Sequence, residues 1–151
     1  MTALRWARNA LHATAVTLFV LMVGLVLAQV VARKFFEPLV WSDELARYLF
    51  IWVAFLGWVV ATERQSHIAI TQISERASPR LQRWLGWAGD IGTLVLMSWL
   101  FWFGLQLVAN NRDVETVTLF FNYAVVYAIL PVAAVAIAGM TLARMRARVG
   151  Q

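Results

Sequence analysis

The sequence contains no cysteine and few charged residues, and both shortages narrow its chemistry. Without thiols the chain cannot carry out disulfide exchange, use a cysteine nucleophile or hold an iron–sulfur cluster. Charged residues make up only 14% of the 151 residues, against about 25% in a soluble domain. Hydrophobic residues make up 62%. This composition is typical of a membrane protein, so the net charge of +5 does not indicate a nucleic-acid surface.

Asp, Glu, Lys and Arg are absent from four stretches of the chain, residues 9–32, 48–62, 91–111 and 116–143. A helix needs about 20 apolar residues to cross roughly 30 Å of hydrocarbon. The second stretch reaches this length when Leu45, Ala46 and a snorkelling Arg47 are added. We therefore predict an all-α membrane protein with one domain of four transmembrane helices, at about 10–33, 43–62, 86–109 and 121–143.

The basic residues indicate how these helices are oriented. Most arginines lie near the two termini and in the connection between the second and third spans. By the positive-inside rule, both termini are expected in the cytoplasm, and Asp43 and Glu44 are expected outside. The first span follows Arg5 and Arg8 as a secretory signal would, but its length favours a retained helix.

The connection after the second span is too polar to be buried and has a helical pattern. Ile70, Ile73 and Ala77 recur at helical spacing opposite polar residues. This pattern predicts a short amphipathic helix in the membrane interface between the second and third transmembrane helices.

The centres of the spans offer little chemistry. Ion-coupled carriers need ionisable or oxygen-rich sites near the bilayer midplane, and no Asp, Glu, Lys, Arg or His lies there. Thr93 and Ser98 can bond their own backbone. Gln29 and Gln106 are interpreted as hydrogen-bond partners between helices, with ligand contact as the alternative. No nucleophile–base pair or metal cluster indicates an enzyme.

An acidic pair, Asp43 and Glu44, stands at the start of the second span, directly after Ser42. A serine hydroxyl can cap free amides there, and carboxylates favour the positive end of the helix dipole. Arg47 follows at the spacing of a local ion pair. In a second interpretation, the acidic pair holds a neighbouring subunit in register or shapes an outer docking rim.

Aromatic and small residues indicate packing surfaces. Tyr48, Trp52, Phe55 and Val59 form a stripe on the second span, and Gly57 offers a point of close approach. We expect most of this surface to pack within the chain and one aromatic face to meet a partner. Separately, the missing amide of Pro131 predicts a bend in the last span.

The stretch WSDELARYLFIWVAFLGWVVATERQSHIAI, residues 41–70, resembles the small, DctQ-like membrane subunit of tripartite ATP-independent periplasmic (TRAP) transporters. Leu130 and Pro131 resemble the mid-helix Leu-Pro of that family's last span. An Asp-Glu pair stands where two glutamates are common. The residues that match in order are Asp43, Glu44, Arg47, Trp52, Gly57, Arg64, His67 and Ile68.

This resemblance implies a multi-pass subunit of the bacterial inner membrane that braces a large, DctM-like transport subunit. A DctP-like periplasmic protein would capture an organic acid, and the small subunit could contribute to its docking. Sodium would bind the large subunit, so no cofactor, metal or enzymatic activity is expected in this chain. The implied partners are these two proteins and membrane lipid, with no nucleic acid.

Two other functions stay open from the sequence. A membrane anchor of a redox complex could hold haem between His12 and His67 near the inner rim. A small dimeric exporter would have this length, but such exporters rely on a carboxylate in the first helix, and none lies between Asn9 and Ala32.

Overall fold

The computed structural model describes residues 2–37, 39–64 and 79–149, and these ranges are almost entirely helical. The helices are α1 (Thr2–Phe35), α2 (Val40–Arg64), α3 (Pro79–Asn110), α4 (Tyr123–Tyr127) and α5 (Ile129–Val149). Four segments are long and apolar enough to cross a membrane: Trp6–Phe35, Val40–Glu63, Leu81–Asn110 and Tyr123–Arg148. The predicted all-α fold with four membrane-spanning helices is confirmed. The predicted interfacial helix lies outside the described residues.

Two ends of the molecule are distinguished below by their connections. The loop end is where residues 36–39 join α1 to α2 and residues 111–122 join α3 to α4. The terminal end is where α1 begins and α5 ends. The five-residue helix α4 and the 21-residue helix α5 together form the last span, from the loop end to the terminal end.

The long helices pack side by side in the order α1, α2, α5, α3. Among the described residues, α1 contacts only α2, and α5 lies between α2 and α3. The last span is the most buried, with 39% of its most apolar window buried, against 11% in α2 and α3 and 6% in α1. The two edge helices, α1 and α3, therefore expose most of their apolar surface.

The core lies where α2, α5 and α3 meet. Val59 from α2, Met97 from α3 and Ala133, Ala134 and Ile137 from α5 form one buried cluster. In a bilayer, helices associate through close van der Waals packing, and small residues such as the two alanines shorten the distance between backbones. Tyr48 and Val59 of the predicted aromatic stripe are buried, so that stripe does pack within the chain.

The last span is interrupted at Ala128, three residues before Pro131, where the sequence predicted a bend. Helix α4 ends at Tyr127 and α5 begins at Ile129. The amide of Val132 reaches the carbonyl of Ala128 at a long 3.4 Å. Proline has no amide hydrogen, so the helical hydrogen-bond ladder cannot continue unbroken through this turn.

Gly104 on α3 packs against this part of the last span. A Cβ atom at Gly104 would lie 3.0 Å from Cδ of Pro131 and 3.2 Å from Cβ of Leu130. The sequence analysis did not identify this glycine. At Gly57, by contrast, no described atom lies within 4 Å of a Cβ position, so the close approach expected there does not occur within the described chain. Gly57 faces outward instead.

Replacing Gly104 with leucine should therefore separate α3 from α5. Inserting a large side chain into a tight contact costs about 1–3 kcal/mol, so the variant should unfold at a lower temperature in detergent. Gly92→Leu is the matched control, because it makes the same change on the same helix where no described atom lies within 4 Å. Equal melting temperatures for the two variants would contradict the tight contact.

Candidate functional site

The carboxylate of Glu44, in the first turns of α2, binds the connection between α3 and α4. Oε1 accepts a hydrogen bond from the amide of Val117 at 3.1 Å, and Oε2 accepts one from the amide of Thr118 at 2.8 Å. The hydroxyls of Thr118 and Tyr48 also donate to this carboxylate. Hydrogen bonds to an ionised acceptor are stronger than neutral ones, so Glu44 fixes this connection to α2.

The connection itself is closed by its own hydrogen bonds. The amide of Thr116 donates to the carbonyl of Phe121 at 3.1 Å, and the amide of Tyr123 donates to the carbonyl of Val114 at 3.0 Å. The buried hydroxyl of Thr116 lies 2.6 Å from the carbonyl oxygen of Leu119. The resulting hairpin, residues 114–123, is a compact unit that Glu44 can hold as a whole.

Aromatic rings pack the base of this hairpin against α2. The ring of Tyr48 meets Phe121 and Tyr123 edge-on, at centroid distances of 5.9 and 5.7 Å. Tyr123 in turn stacks on Tyr127 of α4. Edge-to-face pairs of this kind add to the stabilisation from buried area alone. The side chains of Val117 and Phe120 on the hairpin are exposed.

The neighbouring Asp43 turns the other way, towards α1. Its carboxylate accepts a hydrogen bond from Gln29, which confirms Gln29 as a bond between helices. Arg33 lies 3.7 Å away, with both side chains more than half exposed. Gln106, the second glutamine interpreted as a partner between helices, is exposed on α3.

The predicted local ion pair with Arg47 is wrong. No described carboxylate lies within ion-pair distance of Arg47, because Asp43 is bound to α1 and Glu44 is bound to the hairpin. The expected cap is also wrong. Helix α2 begins at Val40, and the hydroxyl of Ser42 donates back to the carbonyl of Leu39 at 2.6 Å instead of accepting from a free amide.

At the terminal end, a cluster of charged side chains around Asp90 joins three helices. This carboxylate on α3 is 5% exposed and lies 2.7 Å from Nη1 of Arg148 and 3.6 Å from Nη1 of Arg144, both on α5. Arg144 also donates to the carbonyl of Thr62 on α2 at 3.4 Å. A Cβ atom at Gly86 would lie 2.9 Å from Nη1 of Arg148, so the glycine makes room for the guanidinium.

A second cluster at the terminal end joins α1 to α2. Nε2 of His12 lies 3.2 Å from Oε2 of Glu63, and Nε of Arg8 lies 3.6 Å from Oε1. His12 is therefore beside a carboxylate in this structure. His67, its suggested partner in a haem site, lies outside the described residues.

The remaining residues of the family signature are spread along the chain. Trp52 is half-buried on α2, Arg64 ends that helix, and Pro131 lies at the bend against Gly104. Of the described signature residues, Asp43, Glu44 and Arg47 are close neighbours, and all three line one cleft beside the hairpin. The sequence analysis missed Asp90, which stands one residue before the charge-free stretch 91–111. It also missed Thr118 and Glu63.

Comparison with known proteins shows that most of this sequence matches one family. Residues 22–150 match the family model described as tripartite ATP-independent periplasmic transporters, DctQ component. This range contains Glu44, the hairpin, Asp90 and Pro131.

Three relatives are similar over shorter stretches. The chain is 37% identical over 68 residues to the sialic acid TRAP transporter permease protein SiaT of Haemophilus influenzae, covering 44% of this chain and 11% of SiaT. It is 32% identical over 83 residues to the sialic acid TRAP transporter small permease protein SiaQ of Vibrio cholerae, covering 55% of this chain and 48% of SiaQ. It is 31% identical over 96 residues to the isethionate TRAP transporter permease protein DctMQ of Oleidesulfovibrio alaskensis, covering 62% of this chain and 15% of DctMQ. The matches thus span half or less of each relative.

Glu44→Gln should loosen the hairpin. A glutamine side chain has no charge, and its amide group would place a donor against the amides of Val117 and Thr118. Hydrogen exchange at those two amides, followed by mass spectrometry in detergent, should become several-fold faster. Asp43→Asn is the matched control and should leave them unchanged, because Asp43 binds α1. Equal exchange in both variants would contradict the role of Glu44.

Asp90→Asn should destabilise the terminal end. It leaves two arginines without their carboxylate, and breaking a buried ion pair costs about 3–5 kcal/mol. The arginines are partly exposed, so we expect the lower part of that range and a clear fall in melting temperature. Asp113→Asn, an exposed site in the connection after α3, should have little effect. A normal melting temperature for Asp90→Asn would show that the cluster does not hold the helices together.

Proposed function

Because this chain belongs to the DctQ family of tripartite ATP-independent periplasmic transporters, we propose that it is the small permease subunit of a sodium-coupled, binding-protein-dependent transporter for organic acids. In this role it braces a large, DctM-like subunit, and the large subunit binds sodium and substrate. The chain lies in the bacterial inner membrane with several membrane-spanning helices.

One observation carries this proposal: the charged contacts of the described chain join its own helices near their ends. Glu44 binds the hairpin, and Asp90 binds the end of α5. Deeper in the membrane, the hydroxyls of Thr93 and Ser98 donate to carbonyls four residues earlier on α3. In the part of the chain that the structure describes, no group of three or more histidine or acidic side chains could hold a metal ion. This supports a scaffold role for the chain and ion binding in another subunit.

The side-by-side arrangement supports a bracing role. The edge helix α3 exposes Trp99 and Trp102, which are 64% and 63% accessible and lie within the span Leu81–Asn110. Large exposed aromatic side chains supply contact area to a partner helix. In SiaT and DctMQ the matched region is a small part of a longer permease chain, which supports contact between such a region and a larger transport domain.

The loop end is the suggested side for the DctP-like periplasmic protein. The positive-inside rule places this end outside the cytoplasm. There, the hairpin held by Glu44 presents Val117 and the fully exposed Phe120. The names of relatives that refer to sialic acid and isethionate, both of which are organic acids, support the proposed substrate class.

Uptake in proteoliposomes tests this function. Reconstituted with its large subunit, a substrate-loaded binding protein and an inward sodium gradient, the chain should support uptake. The chain alone should support none. Uptake or export by the chain alone would reject the scaffold role, and a haem absorbance band in the purified chain would instead favour a redox anchor.

A further inference from the structure

Positive charge is concentrated at the terminal end of the molecule. The sequence ranges 1–12, 61–90 and 141–151 contain the ends of all four spans on this side. They hold nine of the 13 Lys and Arg residues but only three of the eight Asp and Glu residues. The formal charge of these ranges is therefore +6, whereas the rest of the chain carries −1. An ionic partner at this end has to bring negative charge.

Two exposed arginines at this end lie outside the ion-pair clusters. Arg83 is near the start of α3, and Arg146 is near the end of α5, which packs against α3. No ion pair among the described residues includes either of them. The two described carboxylates at this end, Glu63 and Asp90, each lie beside two other basic side chains. The described acidic side chains therefore do not neutralise Arg83 and Arg146.

Each of these arginines lies one helical turn from an exposed apolar side chain. Trp87 follows Arg83 by four residues, and Leu142 precedes Arg146 by four residues. Residues four apart share one face of an α-helix. Both apolar side chains are exposed and lie further inside their spans than the arginines do. Each helix thus presents a strip that runs from a positive charge at the end of the span to apolar surface within it.

A phospholipid has the same sequence of groups along its length. Its phosphate oxygens match the planar fork of a guanidinium, and its acyl chains match the apolar part of the strip. A water-soluble anion would leave the apolar part uncovered. Trp6 and Trp84 are also exposed at this end, at 79% and 76%, and tryptophan is enriched at the headgroup level of bilayers. An anionic headgroup fits better than a zwitterionic one, because the excess positive charge repels an ammonium group.

We propose that the terminal end selectively binds anionic phospholipids, with their phosphates at Arg83 and Arg146 and their acyl chains along Trp87 and Leu142. Basic side chains beside membrane helices attract anionic lipids, and each contributes about fivefold to the affinity. This selectivity is a property of the chain itself and does not depend on the transport activity.

Native mass spectrometry of the full chain tests this selectivity. The chain is incubated in detergent with equal amounts of phosphatidylglycerol and phosphatidylethanolamine that have the same acyl chains. The wild type should retain phosphatidylglycerol in about fivefold excess or more, and the double variant Arg83→Gln/Arg146→Gln should lower this excess at least several-fold. Lys34→Gln/Arg112→Gln is the matched control, because it removes the same charge from exposed sites at the loop end. No excess in the wild type, or an equal reduction in both double variants, would overturn the proposal.

A second measurement uses the wild type alone, so it does not depend on the folding of a variant. Delipidated chain should melt at a higher temperature with phosphatidylglycerol than with phosphatidylethanolamine, because a ligand that binds the folded state stabilises it. This difference should shrink at high salt, which screens exposed charges, and inorganic phosphate should not replace the lipid. Equal stabilisation by the two lipids, or displacement of phosphatidylglycerol by inorganic phosphate, would contradict a selective lipid site.

Discussion

Charged side chains in a bilayer need partners, and this chain supplies them from one helix to the next. A carboxylate or guanidinium left alone in hydrocarbon is expensive, so each ionic contact also fixes the elements that supply it. Glu44 therefore determines where the hairpin lies, and Asp90 determines where the end of α5 meets α3. Between these two ends, the helices need only close packing, which Ala133, Ala134 and Gly104 allow.

The same constraint explains the shape of the molecule. Helix α5 lies between α2 and α3 and is held at its end by Asp90. Among the described residues, helix α1 touches only α2, through Gln29 at one end and through Arg8 and His12 at the other. A layer of this kind has two broad faces, unlike a closed bundle around a central cavity.

The sequence predicted the helices because hydrophobic length and charge are properties of single segments. Pro131 likewise predicted its own bend, since a missing amide acts locally. Contacts between distant segments were harder to predict. The spacing of Asp43, Glu44 and Arg47 indicated a local ion pair, but the two carboxylates reach partners 14 and 74 residues away in sequence. Nothing in the local pattern at Gly104 shows that Leu130 and Pro131 pack against it. Only a weak indication of the Asp90 cluster was present in the sequence. Asp90 is an acidic residue just before a charge-free stretch, and arginines lie near the end of the chain.

The proposed function requires a scaffold whose parts stay together while another subunit moves. The distance between its edge helices, α1 and α3, is therefore the property to measure. The chain has no cysteine, so spin labels can be introduced at Val20 on α1 and Val95 on α3, both of which are exposed. Their distance distribution would be measured by electron spin resonance in the assembled transporter, with and without sodium and substrate-loaded binding protein. A rigid scaffold predicts the same distribution in both conditions. A shift between two distinct distances would show that this chain itself changes shape during transport, and would contradict its role as a fixed brace.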